Sequence, residues 1–118
     1  MAFKFESLKI WKEAVKFASE TYSLTKKFPR NEEYGLISQL NRAAVSVSLN
    51  IAEGEGRGSK ADLVRFIHIA IGSLYEVVTI LHICLDQQYI NKAQFEVFYK
   101  KSEELSKMLY GYKSYLKS

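Results

Sequence analysis

Apolar residues recur along this chain at steps of three and four, and the spacing divides it into four helical stretches. In the first, Leu8, Trp11, Val15, Ala18, Tyr22 and Thr25 fall on one face, Ser7 is placed to cap the start, and Phe28-Pro29 ends the helix. In the second, Ile37, Leu40, Ala44, Val47 and Ile51 form the seam, with Asn31 as cap and Glu32 and Glu33 against the positive end of the helix dipole. Gly54, Gly56 and Gly58 break that helix, and Ser59 followed by Asp62 reads as the capping pair of the next. The third stretch carries Leu63, Ile67, Ala70, Leu74, Val77, Leu81 and Cys84 on one seam. It also has Phe66, Ile69, Ile71, Val78, Ile80 and Ile83 around most of the rest of its surface, the pattern of a helix covered on more than one side. After an exit at residues 87–90, Asn91 caps a fourth helix with Phe95, Phe98, Leu105, Leu109, Tyr112 and Leu116 facing inward.

Short connections make antiparallel neighbours of successive helices, so the expected fold is all-α: an up-down-up-down antiparallel four-helix bundle. One proline and six glycines leave little turn chemistry for an all-β alternative. The 118 residues suit one domain spanning 1–118, with no internal repeat or low-complexity linker. The N-terminal stretch has charges scattered through it, unlike a signal peptide. The longest apolar run is interrupted by His68, Ser73, Glu76, Thr79 and His82, which argues against a membrane span. A single cysteine, Cys84, allows no internal disulfide and agrees with a cytoplasmic, reducing setting.

No constellation for catalysis emerges. A di-metal bundle site needs inward Glu-x-x-His pairs, and none occurs. His68 and His82 would lie about 21 Å apart along a straight helix. Cys84 and His82 are two residues apart and point to different sides. The expectation is a non-enzyme with no metal, cofactor or small-molecule substrate.

Charge changes the picture more. The net charge is +4. Residues 1–30 carry seven basic and three acidic side chains and residues 92–118 carry six and three, whereas residues 31–62 and 63–91 are net acidic. The basic surplus therefore sits on the first and fourth helices, where Lys9, Lys12, Lys16, Lys100, Lys101 and Lys107, interleaved with tyrosines, are the candidate nucleic-acid contacts. The competing reading is a solvated lysine face over packed tyrosines. A polar stripe, Gln39, Arg42, Ser46, Asn50 and Glu53, runs along the second helix opposite its apolar seam, with Glu76 among its counterparts on the third. That stripe reads either as a solvated face or as a hydrogen-bonding line meeting another helix or another subunit, and the small residues Ala43 and Ser46 on that side favour the second. Pairing the two helices about a turn near Gly56 puts Arg42 opposite Gly72, within a turn of Glu76, and predicts an Arg42–Glu76 ion pair within or between subunits. The glycine turn, with Arg57 and Lys60, is a candidate anion site weakened by its carboxylates. The apolar excess on the third helix is more than a lone small bundle covers, which predicts a closed homo-oligomer.

The segment FPRNEEYGLISQLNRAAVSVSLNIAEGEGRGS resembles the signature of the four-helix-bundle proteins encoded in intervening sequences of bacterial 23S ribosomal RNA genes. The matching elements are Phe28-Pro29, Glu33-Tyr34-Gly35-Leu36, Gln39-Leu40, Arg42-Ala43-Ala44, Ser46, Asn50-Ile51-Ala52-Glu53-Gly54 and Gly56-Arg57, with Phe66, Ala70, Gly72-Ser73 and Glu76 further on. Ser48 departs from the pattern, since the family commonly has proline there. The resemblance implies a bundle assembling as a ring of five. It also implies kinship with accessory proteins of diversity-generating retroelements, which associate with a reverse transcriptase and nucleic acid. It supplies no catalytic residues. The combined expectation is a homopentamer binding RNA or a nucleic-acid-handling protein; the rival is a structural or protein-interaction module with no affinity for nucleic acid.

Overall fold

The computed structural model describes residues 2–32 and 35–118, so the expectations placed on Glu33 and Tyr34 lie outside the described residues. Four helices carry the chain: α1 (Lys9–Thr25), α2 (Leu36–Gly56), α3 (Lys60–Asp86) and α4 (Lys92–Lys117), with short 3-10 turns at Lys4–Ser7 and Arg30–Glu32. Among the described residues there is no strand. The molecule measures 43 × 25 × 21 Å, its long dimension set by the 27-residue α3 and the 26-residue α4.

The helices pack in a cycle, α1 on α2, α2 on α3, α3 on α4 and α4 back on α1, and the last of these contacts is the slightest. Ser46 faces Ser73 while Gly54 faces Phe66, which fixes α2 and α3 as antiparallel. His82 packs on Phe95 and Lys113 reaches His68, which does the same for α3 and α4. One apolar cluster joins all four helices, and α3 dominates it: Ile67, Val77, Leu81 and Cys84 are wholly buried. α3 is long and apolar enough to cross a membrane by length and composition, contrary to the expectation drawn from its polar interruptions. Its apolar seam is instead packed inside the bundle, ten of its residues being buried.

The seams of α2 and α3 are as expected, with Leu40, Ala44, Val47 and Ile51 fully buried on α2. On α1 the phase is different. The buried face is Ile10, Ala14, Phe17, Ala18, Thr21, Leu24 and Thr25, whereas Val15 and Tyr22 are exposed. The expected seam is thus rotated toward solvent, because Ala14 and Thr21 are weakly apolar yet sit where α1 meets its neighbours. The caps also divide. Ser59 Oγ accepts from the Asp62 N–H at 3.1 Å, and Asn91 exchanges hydrogen bonds with Gln94 in a full capping box. Ser7 does not cap α1: its hydroxyl donates to the Lys4 carbonyl, and Leu8 occupies the cap position without a side-chain bond. Asn31 does not cap α2 either, since the helix starts later, at Leu36, whose N–H donates to Glu32 Oε1 at 3.3 Å.

α3 ends in a left-handed residue that the sequence does not advertise. Gln88 has φ 65°, and the Gln88 and Tyr89 N–H groups return to the Leu85 and Cys84 carbonyls at 3.0 and 2.9 Å. This is the Schellman closure with glutamine in the place usually held by glycine. Its Tyr89 hydroxyl donates to Glu32 Oε2 at 2.7 Å, so one carboxylate ties the start of α2 to the end of α3. That hydrogen bond, with lesser contributions from burial and from nearby negative charge, holds the Tyr89 phenol above its ordinary pKa. Among the described residues no buried side-chain polar atom lacks a partner; the buried Asn41 accepts from Thr25 across the α1–α2 contact at 3.0 Å.

Cys84 is a buried apolar residue, and burial, helped by the Glu32 charge, pushes its thiol up to about 11 from 9.0. Between those values the folded chain holds a proton that the unfolded chain releases, so stability falls as pH rises through that window. The expected slope is at most about 1.4 kcal/mol per pH unit, and Cys84→Ala should flatten it in urea melts run from about pH 8.5 to 11. At pH 8 a disulfide reagent should label the thiol only after denaturation; rapid labelling of the native chain would show that the core around the end of α3 opens freely.

Candidate nucleic-acid interface and subunit-contact face

The lysines on the outer sides of α1 and α4 are held in place by helices whose opposite faces are buried. Lys9, Lys12, Lys16, Lys100 and Lys107 are exposed. Lys101 is different: it is half-buried and its Nζ lies 2.9 Å from Glu20 Oε2, bridging α4 to α1. A small groove of ≈ 130 Å³ beside this bridge is lined by Glu13, Lys16, Glu20, Lys101 and Glu104. The candidate lysines therefore do not form one uninterrupted cationic surface. Where α1 meets α4 three carboxylates outnumber two ammonium groups, and the unopposed positive charge is displaced to the flanks. Glu20 was not among the sequence candidates, because a contact spanning 81 residues leaves no mark in local spacing.

Of the polar stripe of α2, Ser46 bonds α3, whereas Asn50 and Glu53 bond along their own helix and Gln39 and Arg42 are exposed. Ser46 Oγ and Ser73 Oγ are 2.9 Å apart, and Asn50 Nδ2 donates to the Ser46 carbonyl at 2.8 Å and to its hydroxyl at 2.9 Å. Serine at both positions lets the helices approach closely, and at the next turns Gly54 serves the same purpose: a Cβ there would lie 2.6 Å from Phe66 Cβ. This register differs from the expected one. Ser46, not Arg42, lies nearest the Gly72–Ser73 level, and Arg42 is carried about one turn along, next to Glu76.

Arg42 and Glu76 line one shallow pocket with Ser38, Gln39, Ala43 and Ser46, yet no ion pair joins them within the subunit. The ion pairs among the described residues are Arg57–Glu53, Arg65–Asp62 and Lys101–Glu20. The intrasubunit half of the Arg42–Glu76 expectation is thus corrected: both side chains are directed outward on exposed helix positions. Around them the same α2/α3 face leaves Leu49, Ile69 and Ile83 exposed, at 61%, 42% and 42%.

At the α2–α3 turn, Gly58 adopts φ +83°, which glycine supplies without strain. Arg57 binds Glu53 at 2.9 Å and lies over the Phe66 ring at 5.0 Å, with Arg65 at 4.8 Å. Ser59 already satisfies two N–H groups at the start of α3, those of Asp62 and Leu63. Lys60 is exposed beside it. An anion at this turn would compete with Glu53 for Arg57 and with Ser59 for the helix terminus. Among the described residues no group of three or more histidine, cysteine or carboxylate side chains is gathered for a metal ion.

Fold and faces together define a small all-α protein of four helices, with lysines on one edge and an open polar face on another. The chain belongs to the 23S rRNA-intervening sequence protein family, whose model matches residues 6–111. A crystal structure of a protein of unknown function from the S23 ribosomal protein family of Bacteroides thetaiotaomicron has the same fold. Its TM-score is 0.78 and its identity 24%, over 88% of this chain and 97% of that one. Among curated proteins none matches.

Proposed function

We propose that this family member is a non-enzymatic, cytoplasmic homo-oligomer, built as a closed ring of five subunits, that binds RNA, alone or within a nucleoprotein. The observation that carries the reading is the outward display of Lys9, Lys12, Lys16, Lys100 and Lys107 on α1 and α4. A ring repeats that display in every subunit, and weak phosphate contacts then act together through effective concentration. Binding is mainly to phosphates, with little sequence preference and a steep loss as salt rises. Changing Lys12, Lys16 and Lys100 together to glutamate is expected to abolish binding in a low-salt anisotropy titration, with helicity and oligomer size unchanged. Binding that persists in the triple variant would place the contact elsewhere, Arg57 and Lys60 being the next positions to change.

The open α2/α3 face supports the assembly. Exposed leucine and isoleucine beside an unjoined Arg42 and Glu76 is the composition of a surface completed by another copy. Arg42 of one subunit meets Glu76 of the next. Arg42→Glu or Glu76→Arg alone should dissociate the oligomer in sedimentation velocity, because breaking one desolvated pair typically costs about 3–5 kcal/mol. The double swap should restore it. A monomer at micromolar concentration in the unaltered protein would end the ring reading.

The rival is a protein-interaction module without affinity for nucleic acid. The Lys101–Glu20 bridge and the acidic lining of the α1/α4 groove favour it. It is separated by the same titration: the rival requires no binding by the intact oligomer at low salt, to structured or single-stranded RNA.

A further inference from the structure

The seam between α3 and α4 carries features that neither the lysines of α1 nor the α2/α3 face uses. Tyr75 on α3 and Tyr99 and Tyr110 on α4 are 56%, 43% and 45% exposed. Single exposed aromatics are ordinary, but these three share one seam. Tyr75 and Tyr99 line a mainly apolar groove of ≈ 480 Å³ floored by Leu74 and Val78. The Tyr75 and Tyr110 hydroxyls are 2.8 Å apart, which ties the two side chains together across the helices. Beyond Tyr99 the aromatic surface continues into His82, which stands edge-on to Phe95 at 4.8 Å and to Tyr99 at 6.2 Å.

Cations flank these rings. Lys107 lines the same groove as Tyr75 and Tyr99, and Lys113 and Lys117 line an adjoining groove with Tyr110. Glu103 is the one carboxylate side chain in either lining. Lys113 Nζ is 3.3 Å from His68 Nδ1 and has no carboxylate partner among the ion pairs of the described residues. On α4 the rise is about 1.5 Å per residue, which spaces Lys107, Lys113 and Lys117 at intervals of about 9 and 6 Å.

Exposed aromatic rings alternating with ammonium groups fit a strand whose bases are unstacked and whose phosphates are evenly spaced. A duplex keeps its base faces inside the stack and cannot meet the tyrosines. A purely apolar ligand would leave the lysines without a purpose, and an acidic polypeptide would leave the rings without one.

We propose that the α3/α4 seam is a track for single-stranded nucleic acid. One base enters the groove between Tyr75 and Tyr99, and Lys107, Lys113 and Lys117 hold the neighbouring phosphates. The inference rests on the nucleic-acid reading above and deepens it: it names single strands as the ligand class and puts base contact on a surface that α1 does not reach. Stacking does not read the 2′-hydroxyl, so a matching DNA strand assayed beside the RNA tells which of the two sources is preferred.

The test is an anisotropy titration of the full-length protein against labelled oligouridine of ~12 nucleotides, the matching DNA strand and an RNA duplex of the same length. Both single strands should bind more tightly than the duplex. Tyr75→Ala and Tyr99→Ala should each weaken single-strand binding by about 5- to 150-fold, the range of one lost base–aromatic stack, with the salt slope unchanged. Tyr75→Phe and Tyr99→Phe should stay within about twofold, since the ring is kept. Lys113→Gln and Lys117→Gln should each make the salt slope shallower by about 0.7. Far-UV circular dichroism and sedimentation on every variant separate loss of contact from loss of fold. Full affinity in both alanine variants overturns the track, as does duplex binding equal to that of the single strand. Loss of binding that comes with dissociation of the oligomer makes the seam a subunit contact and overturns it too. If single strands bind and only the α1 lysine changes weaken them, the track falls and the broader reading stands; if no strand binds, both fall.

Discussion

Leu81→Ala is expected to lower the free energy of unfolding by about 2–5 kcal/mol, enough to remove a large part of the stability of a chain this size. Leu81 is wholly buried on α3, and the seam residues around it on the same helix, Leu74, Val77 and Cys84, are 1%, 0% and 0% exposed. Truncation there loses the transfer free energy of the removed methyl groups and leaves a cavity that four packed helices cannot fully close. Ile83, two residues further along α3 and 42% exposed, supplies the contrast. Ile83→Ala should change the subunit's own stability by under about 1 kcal/mol. If Ile83 belongs to a subunit contact, its effect should shrink as protein concentration falls and the subunits separate, whereas that of Leu81 should not. Urea melts followed by circular dichroism at two protein concentrations decide this. Equal costs at the two positions would mean that α3 is not buried along the seam described.

The second large effect is at Gly54. Any Cβ added there would sit 2.6 Å from Phe66 Cβ and 3.2 Å from Leu63 Cδ1. Phe66 Cβ is bonded directly to the α3 backbone and cannot swing aside, so the helices themselves must part. Overpacking of this kind costs about 1–3 kcal/mol, with more for a larger side chain. Alanine in a helix interior gains about 1 kcal/mol over glycine, which offsets part of that cost in Gly54→Ala and leaves Gly54→Val strongly destabilised. Gly72, in the middle of α3, has nothing within 4 Å of an added Cβ. Gly72→Ala should therefore stabilise the subunit by up to about 1 kcal/mol. Two helical glycines then give opposite signs for the same substitution. A stabilising Gly54→Ala would show that α2 and α3 are not in close contact at that level.

These contrasts mark how far local spacing reaches. On α2 and α3 the apolar positions are dense and strongly hydrophobic, so one helical phase is favoured and the seams Leu40–Ile51 and Leu63–Cys84 are legible in the sequence. On α1 two phases compete, because Val15 and Tyr22 are as apolar as the Ala14 and Thr21 that the fold buries. Packing against α2 and α4 settles the phase, and no spacing rule contains that information. Ser59 and Asn91 are readable as caps because each bonds a backbone N–H three residues ahead. Asn31 misleads because α2 begins at Leu36 and takes its partner from Glu32.

The order of residues is enough to show that the chain is helical, where its four helices stop and start to within a few residues, which faces of α2 and α3 turn inward, and that its basic surplus lies on the first and last helices. All of these are local or additive properties, fixed by spacing, capping chemistry and summed charge. Packing between the helices settles which charges are already matched and which surfaces stay open. Lys101 is joined to Glu20, Arg42 lines one pocket with Glu76 without an ion pair, and Tyr75 meets Tyr110 across two helices. Each of these pairs joins residues far apart in the chain, and their meeting depends on a register between helices. That register is set by close contacts such as Gly54 against Phe66 and Ser46 against Ser73, where a shift of one helical turn would exchange every partner.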